Sequence, residues 1–322
     1  MTFNNTNDVY VLDDTPQEIK REKKYVSKLF FRIVTSSVCA YILIILITGL
    51  LRFFPIDVYD DSFISLLLND LYTILAIFIF IILSRKLTPQ KPVVMRKMTV
   101  FEFFSFVIIS IFLMFSGSVI GNIVSAYVGE ITDTEMTNVV EEIVSGYPIW
   151  QIFVAVVIIA PVTEEFLFRK LIITRVTRYG TNFAVIFSGL VFGAFHGNFY
   201  QFFYASAVGI LLSYVYCVYG KLRFCILIHA ILNFFGSVIP LYISQSGAGY
   251  ETVQNFVAYA YTLLTMISFP VGIFFMVSYM KRLKFFTVSG ILIHPERTLS
   301  KNAGFITYVI LTVILFVISI FA

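Results

Sequence analysis

Nine apolar runs divide the chain, near residues 29–54, 63–84, 100–127, 149–173, 183–197, 202–219, 223–243, 256–280 and 304–322. A helix needs roughly 17 to 25 apolar residues to cross a bilayer, so most of these runs are long enough to span. The expected fold is an all-α polytopic membrane protein, a single bundle of eight transmembrane helices, or nine if the short run 183–197 also crosses. The last run, 304–322, either crosses or lies in the interface. Of 322 residues, 59% are hydrophobic and 13% charged, against about 45–50% apolar and 25% charged in soluble domains. The lipid bilayer is therefore the first expected partner.

Charge between the runs sets an orientation. Lys20, Arg21, Lys23, Lys24 and Lys28 precede the first run, Arg85, Lys86, Lys91, Arg96 and Lys97 follow the second, and Arg175 and Arg178 follow the fourth. Lys221 and Arg223 follow the sixth run, and Lys281, Arg282 and Lys284 the eighth. The alternate loops hold Asp57, Asp60 and Asp61, then Glu130, Asp133, Glu135, Glu141 and Glu142, then Glu251, without Lys or Arg. The positive-inside rule places the N-terminus in the cytoplasm of a cell-membrane protein. The net charge of +4 is this asymmetry, and no nucleic-acid partner is expected from it. Residues 1–25 contain no apolar stretch of the kind that precedes signal cleavage, so a solvated leader is expected there. Cys39, Cys217 and Cys225 lie in or beside runs without metal-knuckle or disulfide spacing and are expected to pack.

Within the fourth run stand Glu164, Glu165 and Arg169. Charged residues at mid-membrane each cost about 2.5 to 3.5 kcal/mol on insertion scales, so they demand compensation and point to function. Successive helical residues are turned by about 100°, which separates the two glutamates, whereas Glu165 and Arg169, four apart, share a face. Glu165 is thus expected to pair with Arg169, leaving the Glu164 carboxylate free toward a cavity. The plain alternative is that all three only hold helices together. His196, at the end of the fifth run, titrates near neutrality and can orient water, though a lone membrane histidine is often just a helix-to-helix hydrogen bond. His229 and Asn233, again four apart, form a donor pair able to hold an oxyanion. At about 1.5 Å per residue, Glu164 and Asn233 lie about 15 Å from the cytoplasmic helix ends, His229 about 9 Å and His196 about 20 Å, so their heights overlap. All the chemistry is expected between Pro161 and Asn233; Asn198 and Tyr200, just past His196, are either substrate contacts or a helix-end cap.

The pattern Glu-Glu-x-x-x-Arg, Phe-x-x-x-His, His-x-x-x-Asn, here Glu164-Glu165-Phe166-Leu167-Phe168-Arg169, Phe192 to His196 and His229 to Asn233, resembles the CAAX protease and bacteriocin-processing (Abi) family of intramembrane glutamic endopeptidases. The resemblance covers about residues 149–243. It implies that Glu164 is the general base activating water, with His196 assisting, that His229 and Asn233 stabilise the oxyanion, and that Glu165 and Arg169 support them. The implied substrate is a membrane-associated peptide or protein, with no cofactor and no metal. The expected organisation is a polar cytoplasmic tail (1–28), N-terminal transmembrane helices (29–127), an acidic outer loop folding partly into an amphipathic helix (128–148), a four-helix catalytic core (149–243) and C-terminal transmembrane helices (244–322).

Other intramembrane proteases lack their parts here: there is no His-Glu-x-x-His, no Gly-x-Gly-Asp and no Gly-x-Ser-Gly. A zinc site from Glu164, His196 and His229 stays chemically open. So do a proton-coupled transporter, although no inverted repeat is evident, and a non-catalytic membrane binding or immunity protein that keeps the motif.

Overall fold

The computed structural model describes residues 15–53, 62–89, 97–138, 146–245, 251–282, 298–299 and 301–321. Their regular structure is helical, with no strand: α1 (Pro16–Leu51), α2 (Ser62–Leu83), α3 (Val100–Thr132), α4 (Ile149–Tyr179), α5 (Thr181–Phe195), α6 (Phe199–Tyr219), α7 (Leu222–Gln245), α8 (Glu251–Arg282) and α9 (Ala303–Phe321). All but α5 are long and apolar enough to cross a membrane, α9 included. Large apolar side chains such as Tyr41, Leu46, Phe78, Ile123, Leu263, Phe274 and Ile314 stay exposed. In water that surface would be a liability, and in a bilayer it faces its solvent. The protein is a multi-pass helical membrane protein.

Two elements depart from expectation. The tail expected over residues 1–28 is not a solvated leader from Pro16 onward: α1 runs unbroken from there, started by Thr15, whose hydroxyl accepts the Glu18 N–H, and by Pro16 in its first turn. Its polar turns are held because the buried Glu22 accepts hydrogen bonds from Arg178 Nη2 at 3.0 Å and Tyr179 Oη at 2.7 Å. The Arg178 guanidinium also lies over the Tyr25 ring, 4.3 Å from its centroid. The start of α1 and the end of α4 therefore share one face of the bundle. In the outer loop, α3 continues to Thr132 and ends at Asp133 in the left-handed region (φ 52°) with its N–H on the Gly129 carbonyl. An amphipathic helix over 139–145 would lie outside the described residues.

The short run 183–197, expected to leave eight spans if it does not cross, matters for the site. At 15 residues, α5 is only about 22 Å long, short of the roughly 30 Å hydrocarbon core, so a helix of this length that enters from one face would end, with His196, inside the membrane depth. A turn there must satisfy its own backbone. Asn198 does much of this: Oδ1 accepts the Gln201 N–H and Nδ2 donates to the His196 carbonyl, both at 2.9 Å. The helix-cap alternative for Asn198 is what the structure shows.

Helix α5 lies tightly on α6 because Gly189 and Gly193 face it. A Cβ on Gly193 would collide with Ser206 Oγ and come within 2.6 Å of the Phe202 carbonyl oxygen. This contact sets α5 at the right distance to deliver Phe192 and His196 beside α4. Helix α3 approaches α6 as closely at Gly117 and Gly121, and α9 covers the α5–α6 turn, with Phe316 4.9 Å from Phe199 and 5.5 Å from Phe202. The core under these contacts is built from Leu29, Phe30, Phe168, Ile172, Leu212 and Ile228, all essentially inaccessible. Cys217 and Cys225 are buried in it and Cys39 is partly buried; all three are free thiols.

Candidate active site

Helix α4 is not uniformly α-helical. It winds as a π-helix over Phe153–Ile159 and again over Phe166–Ile173, with an α-helical stretch, Ala160–Glu165, between. Pro161 explains the first change. The Ala160 N–H bonds to the Ala155 carbonyl, five residues back, and in that register the Val156 carbonyl would need the N–H of residue 161, which proline lacks. The orphaned acceptor is met from another helix: Asn233 Nδ2 donates to Val156 O at 2.8 Å. π-Turns of this kind concentrate at functional sites, and this one positions the two glutamates that follow.

Glu165 and Arg169 are fully buried and joined in a fork. Arg169 Nε donates to Oε2 at 2.7 Å and Nη2 to Oε1 at 3.3 Å. Arg169 Nη1 reaches Ser213 Oγ on α6 at 2.8 Å and Ser188 Oγ on α5 at 3.3 Å, so a single guanidinium ties α4 to both neighbours. A buried ion pair survives only when its remaining hydrogen-bonding capacity is met, and here it is. Glu165 takes one partner more: its Oε1 lies 3.0 Å from His229 Nδ1 on α7. A carboxylate bound to arginine only accepts, so Nδ1 carries the proton and Nε2 is left to face the other way. It faces Glu164, whose Oε2 is 4.0 Å off. Glu164, about 16% exposed, makes no hydrogen bond to a described residue.

His196 sits one turn beyond Phe192, and its Nδ1 lies 3.0 Å from the Phe192 carbonyl. That acceptor again assigns the Nδ1 proton and frees Nε2. The Phe192 ring lies between the two histidines, edge-on to His196 at 5.1 Å and to His229 at 5.8 Å, with the Arg169 guanidinium over it at 5.1 Å. Helices α4, α5 and α7 therefore meet around one aromatic ring. The expectation that Glu164 and Glu165 point apart needs correction, since both border His229, one at each ring nitrogen. Tyr200 bonds through its hydroxyl to the Met136 carbonyl of the outer segment.

One residue escaped the motif reading. Asp70 on α2 is buried, its Oδ2 has no hydrogen-bond partner, and it lies near enough to Glu164 for the two charges to repel. An aspartate in the middle of the run 63–84 was the available signal. Among the described residues no three His, Cys, Asp or Glu side chains converge as metal ligands, so Glu164, His196 and His229 do not form such a group.

Residues 146–235 match the family model described as Type II CAAX prenyl endopeptidase Rce1-like. Over this segment the chain is similar to the CAAX protease family. The match supports, in general terms, the hydrolase activity of a membrane-embedded CAAX-type endopeptidase. The matched CAAX-protease segment runs from the start of α4 to Phe235 on α7 and contains Glu164, Glu165, Arg169, His196, His229 and Asn233, while Asp70 and helices α1 to α3, α8 and α9 lie outside it. No curated protein and no solved structure matches the chain.

Proposed function

We propose that this chain cleaves a peptide bond of a membrane-associated protein or peptide with water activated by Glu164, and that its N-terminus lies in the cytoplasm. The observation that carries the proposal is the division of work between adjacent carboxylates. Glu165 is saturated by Arg169 and His229, whereas Glu164 makes no hydrogen bond to a described residue and has Oε2 4.0 Å from His229 Nε2.

Glu164 removes a proton from water as the water oxygen bonds to the scissile carbonyl carbon. The carbonyl oxygen takes up the negative charge, and two donors flank the place where it develops: His229 Nε2, once it too carries a proton, and the second amide hydrogen of Asn233, whose first is spent on Val156. Collapse of the tetrahedral intermediate breaks the C–N bond, and the proton held by Glu164 passes to the leaving amine. The free Nε2 of His196 accepts from the attacking water and orients it. Arg169 and Glu165 act at one remove, by holding the His229 ring and its tautomer.

The family description names a prenyl endopeptidase, so the substrate proposed is a lipid-modified C-terminal peptide. The test is mass spectrometry of products after incubating the purified chain with matched prenylated and unmodified peptides ending in a CAAX sequence. Release of the last three residues from the prenylated peptide is expected. Cleavage of neither peptide, or equal cleavage of both, would contradict the substrate assignment.

A further inference from the structure

Away from the Glu164 site, at the face where α1 begins and α2 and α4 end, the buried Arg175 and the partly buried Arg32 have no acidic partner among the described residues. Arg175, only 7% exposed, sends Nη1 back to the Leu171 carbonyl at 2.7 Å and lies over the Phe80 ring of α2, 5.5 Å from its centroid. Its Nε is buried and unbonded, and so is Nη1 of Arg32 on α1. The two guanidinium groups are near enough to repel one another. One turn beyond Phe80, Ser84 is completely buried with its hydroxyl unbonded, and Thr177 Oγ1 is likewise buried and unbonded. The obvious carboxylate, Glu22, is already occupied by Arg178 and Tyr179, and no described Asp or Glu pairs with Arg32 or Arg175.

Like charges packed together with N–H groups stranded out of water are unfavourable on every count. They make sense when an anion completes them. Guanidinium groups pair with phosphate oxygens in a fork, and hydroxyls supply further donors. The source of the phosphate follows from location: the cluster stands at the helix ends that carry the basic loops, and its neighbours Phe31 on α1 and Ile82 and Leu83 on α2 are exposed apolar residues. Basic pockets between helices at that level take anionic lipid headgroups. We infer that α1, α2 and α4 form a binding site for the phosphate of an anionic phospholipid, held by Arg32 and Arg175 with Ser84 as an added donor.

The test uses the full chain in detergent and follows lipid retention by native mass spectrometry, with phosphatidylglycerol and phosphatidylcholine as probes. Phosphatidylglycerol should be retained in preference, and Arg32→Gln, Arg175→Gln and, more weakly, Ser84→Ala should lose it. A charge-assisted hydrogen bond supports about a tenfold loss per arginine. Should Arg175→Gln fail to fold, the partly exposed Arg32 and the neutral Ser84→Ala change still decide the matter. Lys28→Gln and Lys86→Gln, altering exposed lysines at the same face, should retain the lipid as the parent chain does. Equal retention of the two lipids, wild-type retention by Arg32→Gln, or equal losses from the lysine variants would overturn the site. Displacement of the lipid by inorganic phosphate at the same concentration would overturn the lipid assignment.

Discussion

Oε1 of Glu165 lies 3.0 Å from Nδ1 of His229, so the residue next to the proposed base holds the ring that faces that base. Arg169 in turn holds Glu165. The unit Arg169, Glu165, His229, Glu164 crosses from α4 to α7 and back, and its inner members are out of contact with water. Disturbing an inner member should therefore act on folding and on the site together.

Arg169→Ala should lower stability sharply, by about 3 to 5 kcal/mol, since it leaves the buried Glu165 charge facing only a histidine. Combining Glu165→Gln with Arg169→Met should recover part of this, because the amide oxygen so introduced can still accept from His229 Nδ1. Thermal unfolding in detergent decides it: a double variant no more stable than Arg169→Ala would mean that the pair is not what holds α4 in place.

Asn233→Ala should cost stability as well as turnover. It strands the Val156 carbonyl that Pro161 leaves without a backbone donor, at about 1 to 3 kcal/mol, and removes one oxyanion donor, worth about 10²- to 10³-fold in rate. A variant that melts at the parental temperature would remove the structural half of this assignment.

Asp70→Asn should raise the melting temperature and lower turnover. The change replaces a buried carboxyl whose Oδ2 has no hydrogen-bond partner, and residues that destabilise a fold can be kept for activity. Unchanged turnover would make Asp70 a packing residue.

The legibility of these contacts in the chain followed their range. The eight long spans follow from apolar length, and the pairing of Glu165 with Arg169 follows from a four-residue spacing within one helix. His229 stands 64 residues from Glu165, and successive glutamates that diverge on a helix still meet one imidazole, because it has a nitrogen on each side. The bond from Asn233 to Val156 depends on a π-helical register that apolar periodicity does not reveal, although Pro161 was its visible cause. Glu22 reads as one more charge in a polar leader until Arg178 and Tyr179 arrive from α4. Asp70 belongs to no motif and stands on a helix outside the family-matched segment, so only its depth in an apolar run marked it.

Activity should persist after prolonged exposure to a membrane-accessible chelator, since a water activated by a carboxylate needs no Lewis acid. Elemental analysis of the same preparation provides the control. Stoichiometric zinc with chelator-sensitive, zinc-restorable cleavage would instead make Glu164, His196 and His229 ligands.

The most direct test is the turnover of purified Glu164→Gln beside the parent chain, on one peptide substrate and with melting temperatures recorded for both. The substitution keeps size and polarity and removes only the capacity to take a proton. A general base contributes about 10²- to 10⁴-fold, so cleavage should fall by at least that lower figure while the melting temperature stays at or above the parental value. Near-parental turnover by a folded Glu164→Gln would contradict the assignment of Glu164 as the base.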